Sequence, residues 1–246
     1  MKKKKTGYIL LLILLIGVVL FVYHELNSNP LSKYYTTKVL ENYLKETYPN
    51  KELRIDEAIY LANRKVYSMK VTEIITTSSK ERIPKKHEFI LRGTFKPTVI
   101  IDSIYMANLD RDLMTKLEKE AGKEIQSLLS KHVTSLDHVS AGFEIQKGEI
   151  PPDTRWSKDL KLKHPVSLFI VLNSKGASKE DVLKDAKEIQ SILNKNGYTY
   201  RSVGINSSVF QGEEVHELTY STSFKRDTEL KLRDIEEHNK GKGLPK

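Results

Sequence analysis

The chain opens with lysines at positions 2–5, followed by a nearly unbroken run of Leu, Ile, Val and Phe from Tyr8 to Tyr23, interrupted only by Gly17. A segment that is apolar on every side has no polar stripe to turn toward water, so it calls for lipid. With Thr6 and Gly7 it approaches the roughly 17 to 25 residues of a membrane-spanning helix. The following residues, His24 to Pro30, lack the small residues that precede a signal-peptidase cut, and the chain has no cysteine to carry a lipid. The expectation is an uncleaved transmembrane signal-anchor over residues 8–24, with a cleaved signal peptide as the alternative. Lysines stay on the cytoplasmic side during insertion. Residues 1–7 are therefore expected inside and the bulk of the chain outside, in a single-pass protein of the cell membrane whose lipid contact is this N-terminal helix.

The formal net charge of the 246 residues is +9, a mild excess that favours anionic lipid or an anionic envelope polymer at short range. Acids and bases alternate almost everywhere, as in "KLEKEAGKE", which is also the pattern of an ordinary solvated surface. No zinc-finger spacing or aromatic-plus-basic platform is present, so nucleic acid is not an expected partner. The absence of cysteine excludes disulfides and thiol chemistry, leaving packing and hydrogen bonds to hold the fold.

Beyond the anchor the spacing of apolar residues defines elements. Leu31, Tyr35, Val39, Tyr43 and Leu44 recur at helical spacing and stop before Pro49. Alternation around Leu53, Ile55 and Ile59, then around Tyr67, Met69 and Val71, predicts a hairpin, and "HEFILRGTFKPTVII" predicts a third strand. Leu109, Leu113, Leu117, Ala121, Ile125 and Leu128 mark a long helix ending near His132. Further on, "LDHVSAGFEIQ" reads as a strand and "HPVSLFIVLN" as a fully buried one. "SKGASKEDVLKDAKEIQSILNKNG" reads as a helix capped by Ser178 and stopped at Gly197. A second hairpin turns about Gln211 and Gly212, and a polar helix follows from Asp227. The expected fold class is α+β: the transmembrane helix, then two small domains of antiparallel sheet plus helices. These are αβββα over residues 30–133 and ββαββα over residues 137–240, followed by a flexible basic tail at 241–246.

Candidate chemistry is sparse. Asp102, Asp110 and Asp112 cluster where a strand gives way to a helix, a place where carboxylates can serve as acid and base, although helix N-termini favour acids for electrostatic reasons alone. His132, Asp137 and His138 lack the spacing that puts ligands on one helix face, so no metal is expected, and no glycine fingerprint calls for a cofactor. Trp156, beside Arg155 in a Pro-rich connection, offers either a wedge between domains or a stacking surface for a sugar or peptide.

The stretch "KVLENYLKETYPNKELRIDEAIYLANRKVYSMKV" resembles the YfjL-like group of small single-span proteins of Gram-positive bacteria, in which an amphipathic helix after the anchor ends in a Tyr-Pro-like stop and leads into strands. The resemblance covers the anchor and residues 31–132. It implies an exported, membrane-tethered α+β module and supplies no catalytic residue.

The functional expectation is a non-enzymatic binding or scaffolding module at the cell envelope, with an envelope protein or anionic polymer as partner and Trp156 and Arg155 as a binding surface. The alternative is an envelope hydrolase using Asp102, Asp110 or Asp112.

Overall fold

The computed structural model describes Tyr8 and residues 11–17, 30–93, 96–173, 175–211 and 214–238. Two compact units emerge, Met1–Ala107 and Asn108–Lys246.

The expected membrane helix is corrected here. Among the described residues no helix is long and apolar enough to cross a membrane. Of the expected span only Tyr8 and residues 11–17 are described, the latter as helix. The rest of the expected span lies outside the described residues, as do Gly212 of the expected turn and the expected tail at 241–246.

The first unit packs helix α1 (Pro30–Thr47) on a four-stranded antiparallel sheet in the order β1 (Glu52–Leu61), β2 (Val66–Thr76), β3 (Arg82–Arg92), β4 (Thr98–Asp102), followed by a short helix α2 (Ser103–Ala107). Thr36, Leu40 and Leu44 are the buried residues of α1, at intervals of four, whereas Leu31 and Tyr35 of the expected stripe are exposed. Strand β1 departs from simple alternation because a bulge between Ile55 and Glu57 shifts the register. Each later side chain changes face, so Ala58 joins the core and Ile59 is left outside. Gly93, at φ +108°, splits the expected third strand into β3 and β4, and a Cβ there would lie 2.9 Å from Lys96 O. Leu40, Leu44, Tyr67, Met69, Val71, Phe89 and Leu91 form this unit's core.

The long helix α3 (Arg111–Leu129) belongs to the second unit, not to an αβββα first domain, and the division falls between residues 107 and 108 rather than at 133–137. The reason is its buried stripe. Leu113, Leu117, Ala121, Ile125 and Leu129 share one core with Val139, Leu168, Ile170 and Val203. The segment before α3 is also tied there, since Asp110 N donates to Ile145 O (2.9 Å) and Lys147 N donates to Asn108 O (2.8 Å).

The second sheet runs β5 (Leu136–Gly142), β6 (Val166–Asn173), β7 (Tyr200–Gln211), β8 (Glu214–Phe224), β9 (Glu236–Glu237). It is mixed rather than antiparallel. Strands β6 and β7 pair in parallel, joined by helix α4 (Lys179–Lys195), as a parallel neighbour demands a crossover. Helix α4 begins in a capping box, Ser178 accepting from Asp181 N and Asp181 accepting from Ser178 N, and Gly197 at φ +79° follows its end. In place of the expected terminal helix from Asp227 there is a 3-10 turn (Leu232–Asp234) and the two-residue β9. Both α3 and α4 contribute to the same core against one face of the sheet.

Candidate functional site

The three candidate carboxylates are structurally engaged or separated. Asp102 ends β4, is 8% exposed, and its Oδ2 accepts from the hydroxyls of Tyr43 (2.8 Å) and Tyr48 (2.6 Å), while Oδ1 accepts from Tyr105 N (2.9 Å) to open α2. Burial and then the hydrogen bond to Asp102 push the Tyr43 phenol up to about 12, and the same causes raise Tyr48. Asp110 is the N-cap of α3, accepting from Leu113 N at 3.2 Å, and Asp112 lies exposed in its first turn. Asp102 falls in the first unit and the other two in the second.

Beside the Asp102 network lies a second polar cluster that sequence reasoning missed. Glu73 on β2 and His87 on β3 are each 7% exposed and joined Oε2 to Nε2 at 2.8 Å, and Lys51 donates to the other Glu73 oxygen. Burial pulls the Glu73 carboxyl upward, but the hydrogen bonds and charge of Lys51 and His87 outweigh it, so Glu73 sits below the usual glutamate range. The turn links the two clusters, Lys51 N donating to Tyr48 O. Tyr48 and Lys51 also line a cleft of about 600 Å³ between α1 and β1. Only register could have revealed the pair: Glu73 and His87 stand 14 residues apart and fall on the core face with Val71 and Phe89.

In the second unit, Trp156 is half-buried, edge-on to Phe143 with ring centroids 5.5 Å apart, and its backbone N–H donates to Glu120 at 2.8 Å. Arg155 is exposed beside it. His132 and His138 are exposed, and the described residues bring together no three His, Asp or Glu able to hold a metal.

A different aromatic surface stands on the sheet face opposite the helices. Val166, Leu168, Ile170 and Leu172 of β6 point into the core, so "HPVSLFIVLN" is buried on one face only, and Phe169 on the other is 58% exposed. Register places Phe169 in a row with Ser140, Gly204 and Ser223. The row to one side holds His138, Val171, Asn206 and Ser221, and the row to the other Gly142, Ser167 and Ser202. A Cβ at Gly142 would lie 3.5 Å from Phe169 Cε2, and one at Gly204 would lie 3.6 Å from Cδ1. These are opposite corners of the ring, so it spans both neighbouring strands. No Asp, Glu, Lys or Arg occupies the three rows. Charge appears at the margins, with the Arg201–Glu144 pair at one end and Glu236 opposite Ser221 on β9. The sequence signal was available in the alternation Ser167, Phe169, Val171 against glycines on adjoining strands, but it required the strand pairing to read.

Fold and site together define a two-unit α+β protein whose second sheet is covered by helices on one face and carries an aromatic platform among glycines and hydroxyls on the other. Family models describe the same division: the YfjL-like N-terminal domain matches residues 3–103 and the YfjL-like C-terminal domain residues 120–236. The uncharacterized protein YfjL of Bacillus subtilis is 32% identical over 235 residues, covering 95% of this chain and 98% of that one. The chain belongs to the YfjL-like family. A crystal structure of a DUF5037 family protein from Ruminococcus gnavus covers 75% of this chain and 87% of that one at 12% identity, and its TM-score of 0.21 is too low to define a common fold.

Proposed function

We propose that this protein is a non-enzymatic binding module of the cell envelope that holds a sugar ring of a polyhydroxylated polymer on the open face of its second sheet. The observation that carries the reading is Phe169, an exposed aromatic ring laid across two glycine-bearing strands in a field without charge. A sugar presents an apolar ring face edged by hydroxyls, and this surface offers a flat apolar ring edged by Ser140, Ser167, Asn206 and Ser223. A purely aliphatic partner would leave that polar border unmatched. The structural engagement of Asp102 and Asp110 favours binding over hydrolysis.

Calorimetric titration with chitohexaose tests this. Removing the ring in Phe169→Ala should cost about 1–1.5 kcal/mol, roughly tenfold in affinity, whereas Phe169→Tyr should retain binding. Circular dichroism and an unfolding curve on the same samples separate a lost contact from a lost fold. Equal affinity for the wild type and a folded Phe169→Ala, or no binding at all, would refute the proposal.

A further inference from the structure

The open face does not end at β5. A groove of about 520 Å³ follows its border, walled by Glu118, Lys119, Lys123 and Gln126 of α3 on one side and by His138 and Ser140 of β5 on the other. His138 and Ser140 belong to both surfaces, because register places them in the rows of Val171 and Phe169. Platform and groove are therefore continuous, one strand spacing of roughly 4.8 Å separating Phe169 on β6 from Ser140 on β5.

The groove differs in chemistry from the platform. Lys119 and Lys123 are exposed, four residues apart on one face of α3, and neither has an ion-pair partner among the described residues. Glu118 is the one acid in the lining, so the groove keeps a positive excess that the platform lacks. Gln126 adds a second and independent mark: its Nε2 donates to Asp137 O at 3.1 Å, while its Oε1 is buried without a hydrogen-bond partner. A buried acceptor of this kind is satisfied by an incoming hydroxyl or water.

Resting on the sugar-binding reading, we propose that the ligand is a glycan bearing an anionic group, its uncharged ring on Phe169 and its carboxylate or phosphate in the α3–β5 groove between Lys119 and Lys123. The polymer crosses the strands from β6 toward β5 rather than running along them. Charge complementarity selects the occupant: an uncharged glycan leaves both ammonium groups unused, and a cationic one is repelled.

Binding of the full chain to three probes tests the proposal: chitohexaose as the uncharged glycan, a hyaluronan hexasaccharide as the carboxylate-bearing one, and pentamannosyl phosphate as the phosphate-bearing one. At least one anionic probe should bind about tenfold tighter than chitohexaose at low salt, and the margin should shrink as salt rises. The K119Q/K123Q pair should erase that margin while leaving chitohexaose binding unchanged, and Phe169→Ala should weaken all three. Which anionic probe shows the margin identifies carboxylate or phosphate. If chitohexaose binds through Phe169 and neither anionic probe binds tighter, or the margin survives K119Q/K123Q, the groove proposal falls and the platform stands. If no probe depends on Phe169, both fall.

Discussion

Replacing Asp102 by asparagine separates structural from catalytic use of this carboxylate. The wild-type side chain accepts three hydrogen bonds, from Tyr43, Tyr48 and Tyr105 N. An amide oxygen that keeps Tyr105 N leaves its NH₂ group facing two phenols that must find other acceptors. Hydrogen bonds to a charged group contribute about 1.5–3 kcal/mol each and neutral ones about 0.5–1.5. Two charge-assisted bonds thus give way to at most two neutral ones from the amide, with both phenol protons redirected. Because both tyrosines are only half-buried and water reaches them, the net loss should be about 2–3 kcal/mol. Urea unfolding, read alongside the Tyr48→Phe variant and the double variant, measures it, and a coupling energy near 1 kcal/mol or more is expected from residues in direct contact. Phenolate absorbance gives a second readout. With the carboxylate gone, Tyr43 should titrate part of the way back from about 12 toward 10.0, burial retaining the rest of the shift. In the wild type the raised value means that the stability it reports is complete below about pH 10 and is lost as pH rises through about 12. Asp102→Asn should flatten that alkaline limb. A loss under about 0.5 kcal/mol with unchanged phenol titration would refute the account of Asp102 as a structural hub.

The Glu73 carboxyl lies below its unfolded value of 4.5, so its contribution is present above about pH 4.5 and is lost as pH falls through the folded value. Acid titration of the unfolding free energy should show this limb, and Glu73→Gln should reduce both the neutral-pH stability and the acid slope; an unchanged slope would contradict the assignment. Gly122→Ala should destabilise by about 1 kcal/mol despite the better helix propensity of alanine, because its Cβ would come 3.1 Å from Val139 O on a strand already held by Gln126. A higher melting temperature for this variant would show that β5 yields more freely than its contacts imply.

Sequence periodicity reached the elements whose reasons are local. Ser178 and Asp181 signal the start of α4 within four residues, and the stripe Leu113–Leu117–Ala121–Ile125 defines α3 by itself. It did not reveal which sheet α3 covers, because that depends on complementary surfaces elsewhere in the chain. The bulge after Ile55 and the split at Gly93 shift side chains between faces through backbone geometry that residue spacing does not encode. The apolar opening illustrates a different limit: hydropathy describes what a segment would prefer, and among the described residues no helix is long and apolar enough to cross a membrane. Asp102, Asp110 and Asp112 were visible as residues, but their roles depended on hydrogen-bond partners brought close by folding. Phe169 was hidden for the same reason, its significance lying in Gly142 and Gly204 on strands distant in sequence.

The margins of the second sheet bear on how copies of this protein behave when crowded. Along β5, Gln126 occupies the Asp137 carbonyl and Gly122 lets the helix backbone close in on that of Val139. At the far border β9 consists of two residues, both glutamate and both exposed. One margin is roofed and the other carries paired like charges opposite Tyr220 and Ser221, features that discourage pairing with a foreign strand there. Copies crowded along one polymer would then sit side by side with little tendency for their sheets to fuse into fibres.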